Sequence, residues 1–346
     1  MSGFLGVRVF MGSMTNLGTA AYRRFVQELG AEGTIGEMAL ADRVAKGWKQ
    51  DLVLLRHHPE ERCFGAQVVG KRPENLVHAA RLAQEQGARF VDLNCACPIR
   101  AVTDRGGGAA LAKRPSQLAK AVEALREALS IPVTVKLRTG WTQAQPNLFE
   151  AAEAAIGAGA SAVFVHGRSW EDRYRGPANW ALIGELAARV SVPVIGSGDL
   201  LSGEDVHLRL RESGCAAVSV GRGGLIRPWL FKEYVTGVRL DPDAETRLGW
   251  LRRLVALTLE SFGDDEIGHR RAAKFLFLQL DFMSRHVPDA VFAKPLGMQE
   301  RAESWEPRDE LERLFASRDR EQWSKLLSLA GLQPPTPDEQ VESSDS

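Results

Sequence analysis

The amino-acid sequence predicts a closed parallel (β/α)8 barrel followed by a smaller domain of helices. Short β-branched runs alternate with amphipathic segments along the first 235 residues. The alternation occurs eight times, which is the number that such a barrel requires. Strand-like alternation then disappears from about residue 245. A doubly wound open sheet is the competing fold, and the lack of a G-x-G-x-x-G sequence after an early strand disfavours it.

The predicted strands are short runs of mostly apolar residues between turn-forming segments. They lie near residues 7–10, 34–37, 62–68, 89–94, 132–138, 161–166, 192–196 and 216–220. Between them, segments 73–86 and 115–129 have the periodicity of helices. Pro73 and Pro115 stand where a first helical turn tolerates proline, and Gly87 suits the position that follows a helix.

This pattern divides the chain into three regions. Residues 1–240 are predicted to form the barrel and residues 245–330 a helical domain, because segments 246–262 and 268–285 carry apolar residues at helical spacing. These residues are Leu248, Leu251, Leu254, Val255, Phe275, Leu276, Leu278 and Leu280. Residues 331–346 contain three prolines, four acidic residues and no basic one, a composition typical of a disordered tail.

Net charge and cysteine content limit the classes of function. The 44 basic residues match 44 acidic ones, so nucleic-acid binding would have to use local patches of charge. The four cysteines are too few for a disulfide framework, and the C-x-C at 95–97 lacks a second pair at the spacing of a zinc site. No signal-type segment and no run of eighteen apolar residues occurs. We therefore expect a cytoplasmic protein with no metal ion and no membrane span.

Polar residues inside a buried strand give the first indication of a site. In the fifth predicted strand, Val133, Val135 and Leu137 share one face and would pack outward against helices. Lys136 and Arg138 would then point into the barrel near its C-terminal mouth. Barrel active sites lie at that end, although a lysine that reaches solvent or a structural ion pair is the simpler explanation for either residue alone.

Three neighbouring strands carry a polar residue at the same level, namely Gln67, Asn94 and His166. A satisfied structural hydrogen bond explains any one of them. Together with Lys136 and Arg138, however, they form five polar side chains that converge on one rim. This arrangement predicts a pocket for a flat polar ring with many donors and acceptors.

Two glycine-rich turns follow the last two predicted strands. In barrels, the loops at these places commonly bind phosphate through backbone N–H groups, and Arg222 would add a charge-assisted contact. A phosphate site beside a pocket for a planar ring predicts FMN. The turns read Gly196-Ser197-Gly198-Asp199 and Gly221-Arg222-Gly223-Gly224.

A thiol-bearing loop follows the fourth predicted strand, with the sequence Asn94-Cys95-Ala96-Cys97-Pro98. A thiol with a pKa near ~8.5 is mostly protonated at neutral pH and can act as an acid. The commonest role of a free cysteine is that of a small buried hydrophobe, and we assign that role to Cys95. Cys97 is the candidate acid.

The order of the motifs resembles the tRNA-dihydrouridine synthase family. Several widely spaced motifs in family order are more specific than any one alone, and here they span roughly residues 9–235. The motifs are N-x-x-C-P, the segment Gly106-Gly107-Gly108-Ala109-Ala110-Leu111, V-K-x-R-x-G-W, V-H-G-R, G-x-G-D-L and G-R-G-x-L-x-x-P-W-L.

The resemblance implies an enzyme that reduces the C5=C6 bond of uridine in tRNA. It implies FMN, reduced by NADPH, as the source of a hydride for C6, and Cys97 as the donor of the proton for C5. The C5=C6 bond is conjugated with the C4 carbonyl, so hydride addition at C6 leaves enolate-like charge that takes up a proton at C5.

The resemblance also implies roles for the other candidate residues. Gln67 and Lys136 would bind the isoalloxazine, and His166 would line its site. Asn94 and Arg138 would position the uracil or the flavin ring. The residues expected to hold the ribityl phosphate are Ser197, Gly198, Asp199, Gly221 and Arg222, and the first-strand contacts to FMN would come from Ser13, Met14 and Thr15.

Three places depart from the family pattern. Of the first-strand motif A-P-M-A-G-x-T-D, only Met14 is kept. Ala96 stands where the family has glycine before the catalytic cysteine, and Ser197 stands where it has asparagine. We expect these changes to affect FMN retention and substrate choice, while the chemistry is kept.

The helical region carries cations that we expect to meet tRNA. Arg270, Arg271 and Lys274 fall on adjacent faces of one predicted helix, and Arg252-Arg253 lies on the preceding one. Contact with phosphates and a solvated charged face are both consistent with them. The uridine would have to be single-stranded or flipped out of its stack, and we expect the protein to act as a monomer.

Two other functions fit part of the sequence. One is a flavin barrel that acts on a free pyrimidine, in the manner of dihydroorotate dehydrogenases, and the appended helices argue against it. The other is an RNA-binding barrel without catalytic activity. The intact Cys97, Lys136 and His166 argue against that alternative.

Overall fold

The computed structural model describes residues 3–287 and 306–333. Its main feature is a closed barrel of eight parallel strands, which confirms the predicted fold class. The barrel strands are β1 (Val9–Met11), β2 (Gly33–Leu40), β3 (Phe64–Val69), β4 (Phe90–Asn94), β5 (Val133–Arg138), β8 (Ala162–His166), β9 (Val194–Ser197) and β10 (Ala217–Val220), and a hairpin after β5 contains β6 (Gly140–Thr142) and β7 (Gln145–Pro146). Around the barrel the order is β1-β10-β9-β8-β5-β4-β3-β2.

Helices cover the outside of the barrel and continue after it. Those between and directly after the strands are α1 (Ala20–Glu28), α2 (Ala41–Val44), α3 (Lys49–Leu52), α4 (Pro73–Glu85), α5 (Arg100–Thr103), α6 (Ala109–Ala112), α7 (Pro115–Ala128), α8 (Leu148–Gly157), α9 (Trp180–Arg189), α10 (Gly203–Glu212), α11 (Arg222–Ile226) and α12 (Leu230–Thr236). The C-terminal helices are α13 (Ala244–Phe262), α14 (Glu266–Met283), α15 (Glu310–Ala316) and α16 (Arg320–Leu329).

The ends of the helices follow from local chemistry. Pro73 and Pro115 open α4 and α7, as predicted, because proline at the first position gives up no intrahelical hydrogen bond. The side chains of Asp243 and Asp265 accept a backbone N–H at the starts of α13 and α14. These caps satisfy N–H groups that the helices leave unpaired.

Alternate residues of each strand face opposite sides of the barrel wall, which sets the direction of the site residues. In β5, Val133, Val135 and Leu137 belong to the core between barrel and helices. Their neighbours Lys136 and Arg138 line the inside at the C-terminal end. This is the arrangement that the period of two predicted.

An aromatic plug closes the N-terminal end of the barrel. Phe4, Phe10, Phe90 and Phe164 form it, and their rings make edge-to-face and stacked pairs with centroids 5.4–6.4 Å apart. Gly65 leaves the room for this plug, because a Cβ atom there would lie 2.1 Å from the Phe90 ring. Within the described residues, the plug therefore closes the interior below, and a cleft opens at the C-terminal mouth.

The C-terminal helices are fastened to the barrel through α1 and α11. The Gln279 side-chain amide donates to the Leu225 carbonyl over 2.9 Å, and the Tyr22 hydroxyl donates to the Gly224 carbonyl over 2.5 Å. The Arg253 guanidinium binds the Glu28 carboxylate at 2.6 Å. These contacts hold α13 and α14 beside the barrel.

Three expectations about this region need correction. Arg253 pairs with Glu28 and Arg252 donates to the Leu329 carbonyl, so this arginine pair fastens helices together. Leu278 is exposed, because helical spacing places it on the outer face of α14. The predicted tail, 331–346, starts too early: Leu332 is buried against the helices. Residues 334–346 lie outside the described part of the chain.

Within residues 3–287 and 306–333, no helix has the length and apolar character needed to cross a membrane. The same residues contain no group of three or more His, Cys, Asp and Glu side chains that could hold a metal ion.

Removal of the plug should destabilise the whole barrel. We expect Phe90→Ala to lower the free energy of unfolding by about 3–5 kcal/mol, because it loses apolar burial and leaves a cavity between the other three rings. Urea unfolding measures this change. Val53→Ala, at a side chain that is 50% exposed, serves as the control and should stay within ~0.5 kcal/mol of the wild type. A loss below about 1 kcal/mol for Phe90→Ala would contradict the role of the plug.

Candidate active site

A cleft opens at the C-terminal mouth of the barrel. Its empty volume is about 920 Å³, including the part open to solvent. Every candidate residue that the sequence placed in the barrel borders this cleft. They are Ser13, Met14, Thr15, Gln67, Asn94, Cys97, Lys136, Arg138, His166, Ser197, Gly198, Asp199, Gly221 and Arg222.

A buried carboxylate lies beneath the cleft. Asp92 is fully buried, and it accepts hydrogen bonds of 2.7 Å from both the Gln67 amide and the Thr134 hydroxyl. Burial raises the pKa of Asp92, against these hydrogen bonds and the charge of Lys136. Burial lowers the pKa of Lys136 to about 8, with Asp92 acting against it. Asp92 is thus the counter-charge for Lys136.

Hydrogen bonds continue from this carboxylate to the thiol loop. The Asn94 amide donates to the Gln67 side-chain oxygen over 2.8 Å. The Asn94 side-chain oxygen in turn accepts the backbone N–H groups of Ala96, at 3.0 Å, and Cys97, at 2.8 Å. Because Asp92 orients the Gln67 amide, the position of the loop depends on the barrel interior.

The Cys97 side chain sits at the edge of the cleft, 8% exposed, in a small apolar cluster with Val69 and Val102. Burial raises the pKa of its thiol, while a hydrogen bond from the backbone at Ile99 and the charge of Arg138 act to lower it. A raised pKa keeps the proton on the sulfur at neutral pH.

The second thiol faces the other way. Cys95 is fully buried in the core between barrel and helices, and it does not border the cleft. Burial raises its pKa well above the ordinary value. Cys95 continues the alternation of β4, outward after the inward Asn94, whereas Cys97 lies in the loop beyond the end of the strand, where the period of two no longer holds.

Arg138 holds two loops at the mouth. Its guanidinium donates to the carbonyl of Ala96 over 2.7 Å, and to those of Ser169 and Arg173 over 2.8 and 2.9 Å. Burial lowers its pKa to about 10. Arg138 therefore joins the Cys97 loop to the loop after β8.

A second arginine holds the turn after β9. Arg168 donates to the Asp199 carboxylate over 2.6 Å, and it lies 3.4 Å from the ring nitrogen Nε2 of His166. Burial lowers the pKa of His166 well below its ordinary value, and four surrounding cations act in the same direction. The imidazole is therefore neutral at physiological pH. The Asp199 carboxylate is paired with Arg168.

Unsatisfied donors remain on the β10 side of the cleft. The Arg222 guanidinium carbon lies 4.4 Å from the Tyr174 ring centroid, and burial lowers the pKa of this arginine to about 10. Among the described residues, Arg222 Nη1 and the Ser219 hydroxyl are buried without a hydrogen-bond partner. A buried cation with a free donor beside a buried hydroxyl is suited to an anion.

Reasoning from the sequence missed four residues of this site. Asp92 and Ser219 lie on inward positions of β4 and β10, two residues before Asn94 and Gly221, so the period of two could have found them. Arg168 belongs to the V-H-G-R motif and could have been considered with His166. Tyr174 lies in a loop, and its approach to the cleft has no sequence pattern.

The predicted cations of the helical region do not border the cleft. Arg270, Arg271 and Lys274 are exposed on α14. Arg270 pairs with Glu266 at 3.0 Å, whereas Arg271 and Lys274 have no carboxylate partner within the described ranges.

The fold and the site define a (β/α)8 barrel with a cationic ligand cleft at its C-terminal mouth, where barrel enzymes bind their ligands. The model of the dihydrouridine synthase (Dus) family matches residues 11–270, and the chain belongs to this family. The resemblance found in the motifs is confirmed.

Relatives of known sequence support the same assignment. The chain is 36% identical over 338 residues to the tRNA-dihydrouridine(47) synthase [NAD(P)(+)] of Coprinopsis cinerea, with 93% of this chain and 50% of that protein covered. It is 34% identical over 334 residues to the tRNA-dihydrouridine(47) synthase [NAD(P)(+)]-like protein of Homo sapiens, with 95% and 51% covered. The chain spans about half the length of these relatives.

Among solved structures, histamine dehydrogenase from Rhizobium sp. 4-9 is similar with a TM-score of 0.54 and 15% identity, covering 72% of this chain and 49% of that one. At this identity, the likeness concerns the fold alone.

Loss of the Asn94 side chain should release the thiol loop. Asn94→Ala leaves the Cys97 N–H and the Gln67 side-chain oxygen without partners, at a cost of about 1–3 kcal/mol for each buried group. We expect Cys97 to be alkylated by iodoacetamide about tenfold faster or more, since local opening becomes easier. Mass spectrometry of the modified peptide measures the rate.

Cys95 in the same protein is an internal control, and Asn75→Ala, which removes a hydrogen bond to Asp42, is the matched variant. The alkylation rate of Cys95 should stay at its wild-type value, and Asn75→Ala should leave the rate at Cys97 unchanged. An Asn94→Ala protein with wild-type reactivity at Cys97 would disprove the link between the two residues.

Proposed function

We propose that this chain reduces the C5=C6 bond of a uridine in tRNA to give dihydrouridine, with bound FMN and with NADPH as reductant. The observation that carries the proposal is the buried Cys97 thiol at the rim of a cationic barrel cleft, in a member of the dihydrouridine synthase family. The names of the relatives, which specify position 47 and NAD(P)(+), support the substrate and the reductant.

The free donors on the β10 side support a phosphate-bearing cofactor. Arg222 Nη1 and the Ser219 hydroxyl need acceptors, and a ribityl phosphate would supply them. The turn of Ser197, Gly198 and Asp199 borders the same side, and a Cβ at Gly221 would be in ordinary van der Waals contact with the Met14 sulfur, at 3.6 Å. Ser13 and Thr15 would complete this wall.

The remaining residues fit a flat ring. Gln67 and Lys136 border the cleft above Asp92, and the ammonium of Lys136 would stabilise negative charge on a pyrimidine-like ring. Neutral His166 can donate or accept a hydrogen bond without adding to the positive charge. FMN held by these residues would supply the hydride that the C6 position of the uracil requires.

Cys97 would hold the second hydrogen. Its raised pKa keeps the proton on Sγ until enolate-like charge develops on the uracil, and C5 then takes this proton. Asn94 and Arg138 form hydrogen bonds to the backbone of the thiol loop. We therefore propose that they shape the uracil site and hold Cys97 in position beside the substrate.

The helical region, 245–330, is proposed to bind the tRNA body. Arg271 and Lys274 present exposed charge for phosphates, and Arg270 can exchange Glu266 for one. We propose that the protein works as a cytoplasmic monomer.

Purified protein tests the proposal directly. It should be yellow, and with an unmodified tRNA transcript it should oxidise NADPH while dihydrouridine appears at position 47. A colourless protein that FMN cannot reconstitute would refute the enzyme. Turnover of a free pyrimidine but not of tRNA would favour an enzyme of small-molecule metabolism.

The two thiols should differ in function. Cys97→Ala should retain FMN and lose uridine reduction by a factor of about 10²–10⁴, the usual contribution of a general acid. Cys95→Ala should stay active, because its side chain faces the outer core. Single-turnover reduction of tRNA, with flavin absorbance as the measure of cofactor content, separates the effects. Activity in Cys97→Ala with loss in Cys95→Ala would reverse the assignment.

Arg222 should recognise the phosphate and not the ring. A charge-assisted hydrogen bond contributes about 1.5–3 kcal/mol, so Arg222→Gln should weaken FMN binding by roughly 10- to 150-fold. Its affinity for riboflavin, which lacks the phosphate, should change by less than about twofold. Titration of the apoprotein with both flavins measures the two constants. Equal losses for FMN and riboflavin would place Arg222 elsewhere than at the phosphate.

A further inference from the structure

A second, smaller cleft lies at the barrel mouth beside the thiol loop. Segments that follow β2, β3 and β4 line it, and its charged residues are Arg43, Lys71 and Arg105 against one carboxylate, Asp42. Asp42 already accepts a hydrogen bond of 2.6 Å from the Asn75 amide. The cleft therefore has an excess of positive charge.

Only a thin apolar wall separates this basic cleft from the candidate active site. Val69, Val102 and Cys97 pack together with Met38 and Leu40. Met38 and Cys97 border the active-site cleft, whereas Leu40, Val69 and Val102 border the basic cleft. The thiol thus lies in a partition with the ring pocket on one side and cations on the other.

Two of these cations are not used to hold the protein together, whereas Arg43 lies 3.8 Å from the Asp51 carboxylate. Lys71 and Arg105 are exposed and, within the part of the chain that the structure describes, form no ion pair or side-chain hydrogen bond, and the same is true of Arg100 at the start of α5. The stem of Lys71 rests against Gly106, where a Cβ would lie 2.9 Å from its Cδ. The ammonium is therefore placed by packing and left available.

Two exposed apolar side chains lie close to the basic cleft. Trp48 is 47% exposed, and the guanidinium carbon of Arg43 lies 4.8 Å from its ring centroid. Ile99, 49% exposed, borders the active-site cleft. Cations along a groove with an exposed aromatic ring are the combination by which proteins hold single-stranded nucleic acid.

We propose that the basic cleft, with Trp48 at its outer end and Ile99 at its inner end, binds the RNA strand that flanks the reacting uridine. Arg43, Lys71 and Arg105 would contact phosphates, and Trp48 would stack on a base. The proposal rests on the proposed function and names the part of the barrel that receives the strand when the uridine is flipped.

The position of the C-terminal helices agrees with this assignment. They pack on α1 and on α11, which follows β10. The basic cleft follows next around the mouth, where β2, β3 and β4 end. A tRNA held by α14 would therefore meet the basic cleft on the neighbouring part of the rim.

The test compares two pairs of cations. Lys71→Ala/Arg105→Ala should weaken binding of an unmodified tRNA transcript by about five- to tenfold, and should raise KM more than it lowers kcat. The slope of log Kd against log salt should fall by about 1.4, since each phosphate contact in single-stranded nucleic acid accounts for ~0.7. Arg81→Ala/Lys120→Ala, at exposed cations on the outer helices α4 and α7, is the matched control and should match the wild type.

The outcomes are distinct. Wild-type affinity and salt slope in Lys71→Ala/Arg105→Ala, in a protein that otherwise reduces tRNA, would overturn the basic cleft and leave the proposed function intact. An equal loss in the control pair would show a general effect of charge and would also overturn it. A wild type that neither binds nor reduces tRNA would remove both proposals. Thermal melting and flavin absorbance confirm that each variant is folded.

A third variant, Trp48→Ala, keeps the net charge of the protein. It should weaken tRNA binding without changing the slope of log Kd against log salt.

Discussion

The geometry of the site depends on one buried carboxylate. Asp92 ties β4 to β3 and β5 by its bonds to Gln67 and Thr134, and it supplies the counter-charge for Lys136. A charge at this depth is costly to bury unless other groups compensate for it, and here two hydrogen bonds and the charge of Lys136 do so. Asp92 orients Gln67, the Gln67 side-chain oxygen accepts a hydrogen bond from Asn94, and Asn94 in turn accepts one from the backbone N–H of Cys97.

The upper layer of the barrel is organised around an excess of cations. Asp92 and Asp199 are outnumbered by four positive side chains, those of Lys136, Arg138, Arg168 and Arg222. Burial, and then repulsion from neighbouring cations, lowers the pKa values of Lys136, Arg138 and Arg222. Such an arrangement stabilises the fold less than apolar packing would. Natural proteins keep features of this kind at functional sites, where the compensating interaction comes from a bound anion.

Much of this arrangement could be predicted from the sequence because strands alternate strictly. The period of two along the strands was enough to predict that Lys136 and Arg138 point inward and lie at the same end of the barrel as His166. Asp92 and Ser219 were not predicted because they lie two residues before the strand ends, deeper inside the barrel, and only the strand ends were considered. Loop residues such as Tyr174 could not be placed, since the path of a loop is set by tertiary contacts.

Helix faces were harder to predict than strand faces. Helical spacing identified α13 and α14, but it could not tell which leucines face solvent, and Leu278 was assigned to the wrong side. The pairing of Arg253 with Glu28 joins residues 225 positions apart. No local pattern contains such information, and for the same reason the basic cleft between the segments after β2, β3 and β4 was not visible in the sequence.

The aromatic plug at the base of the barrel has a consequence for the return of the proton. With the floor sealed by phenylalanine rings, water enters the active-site cleft from the mouth, which is the side that the substrate would cover. A thiolate formed there would stay deprotonated until the product leaves. The Cys97 thiolate would then regain its proton from water only after the product has left. Each catalytic cycle would therefore end with a proton transfer from solvent at the open rim.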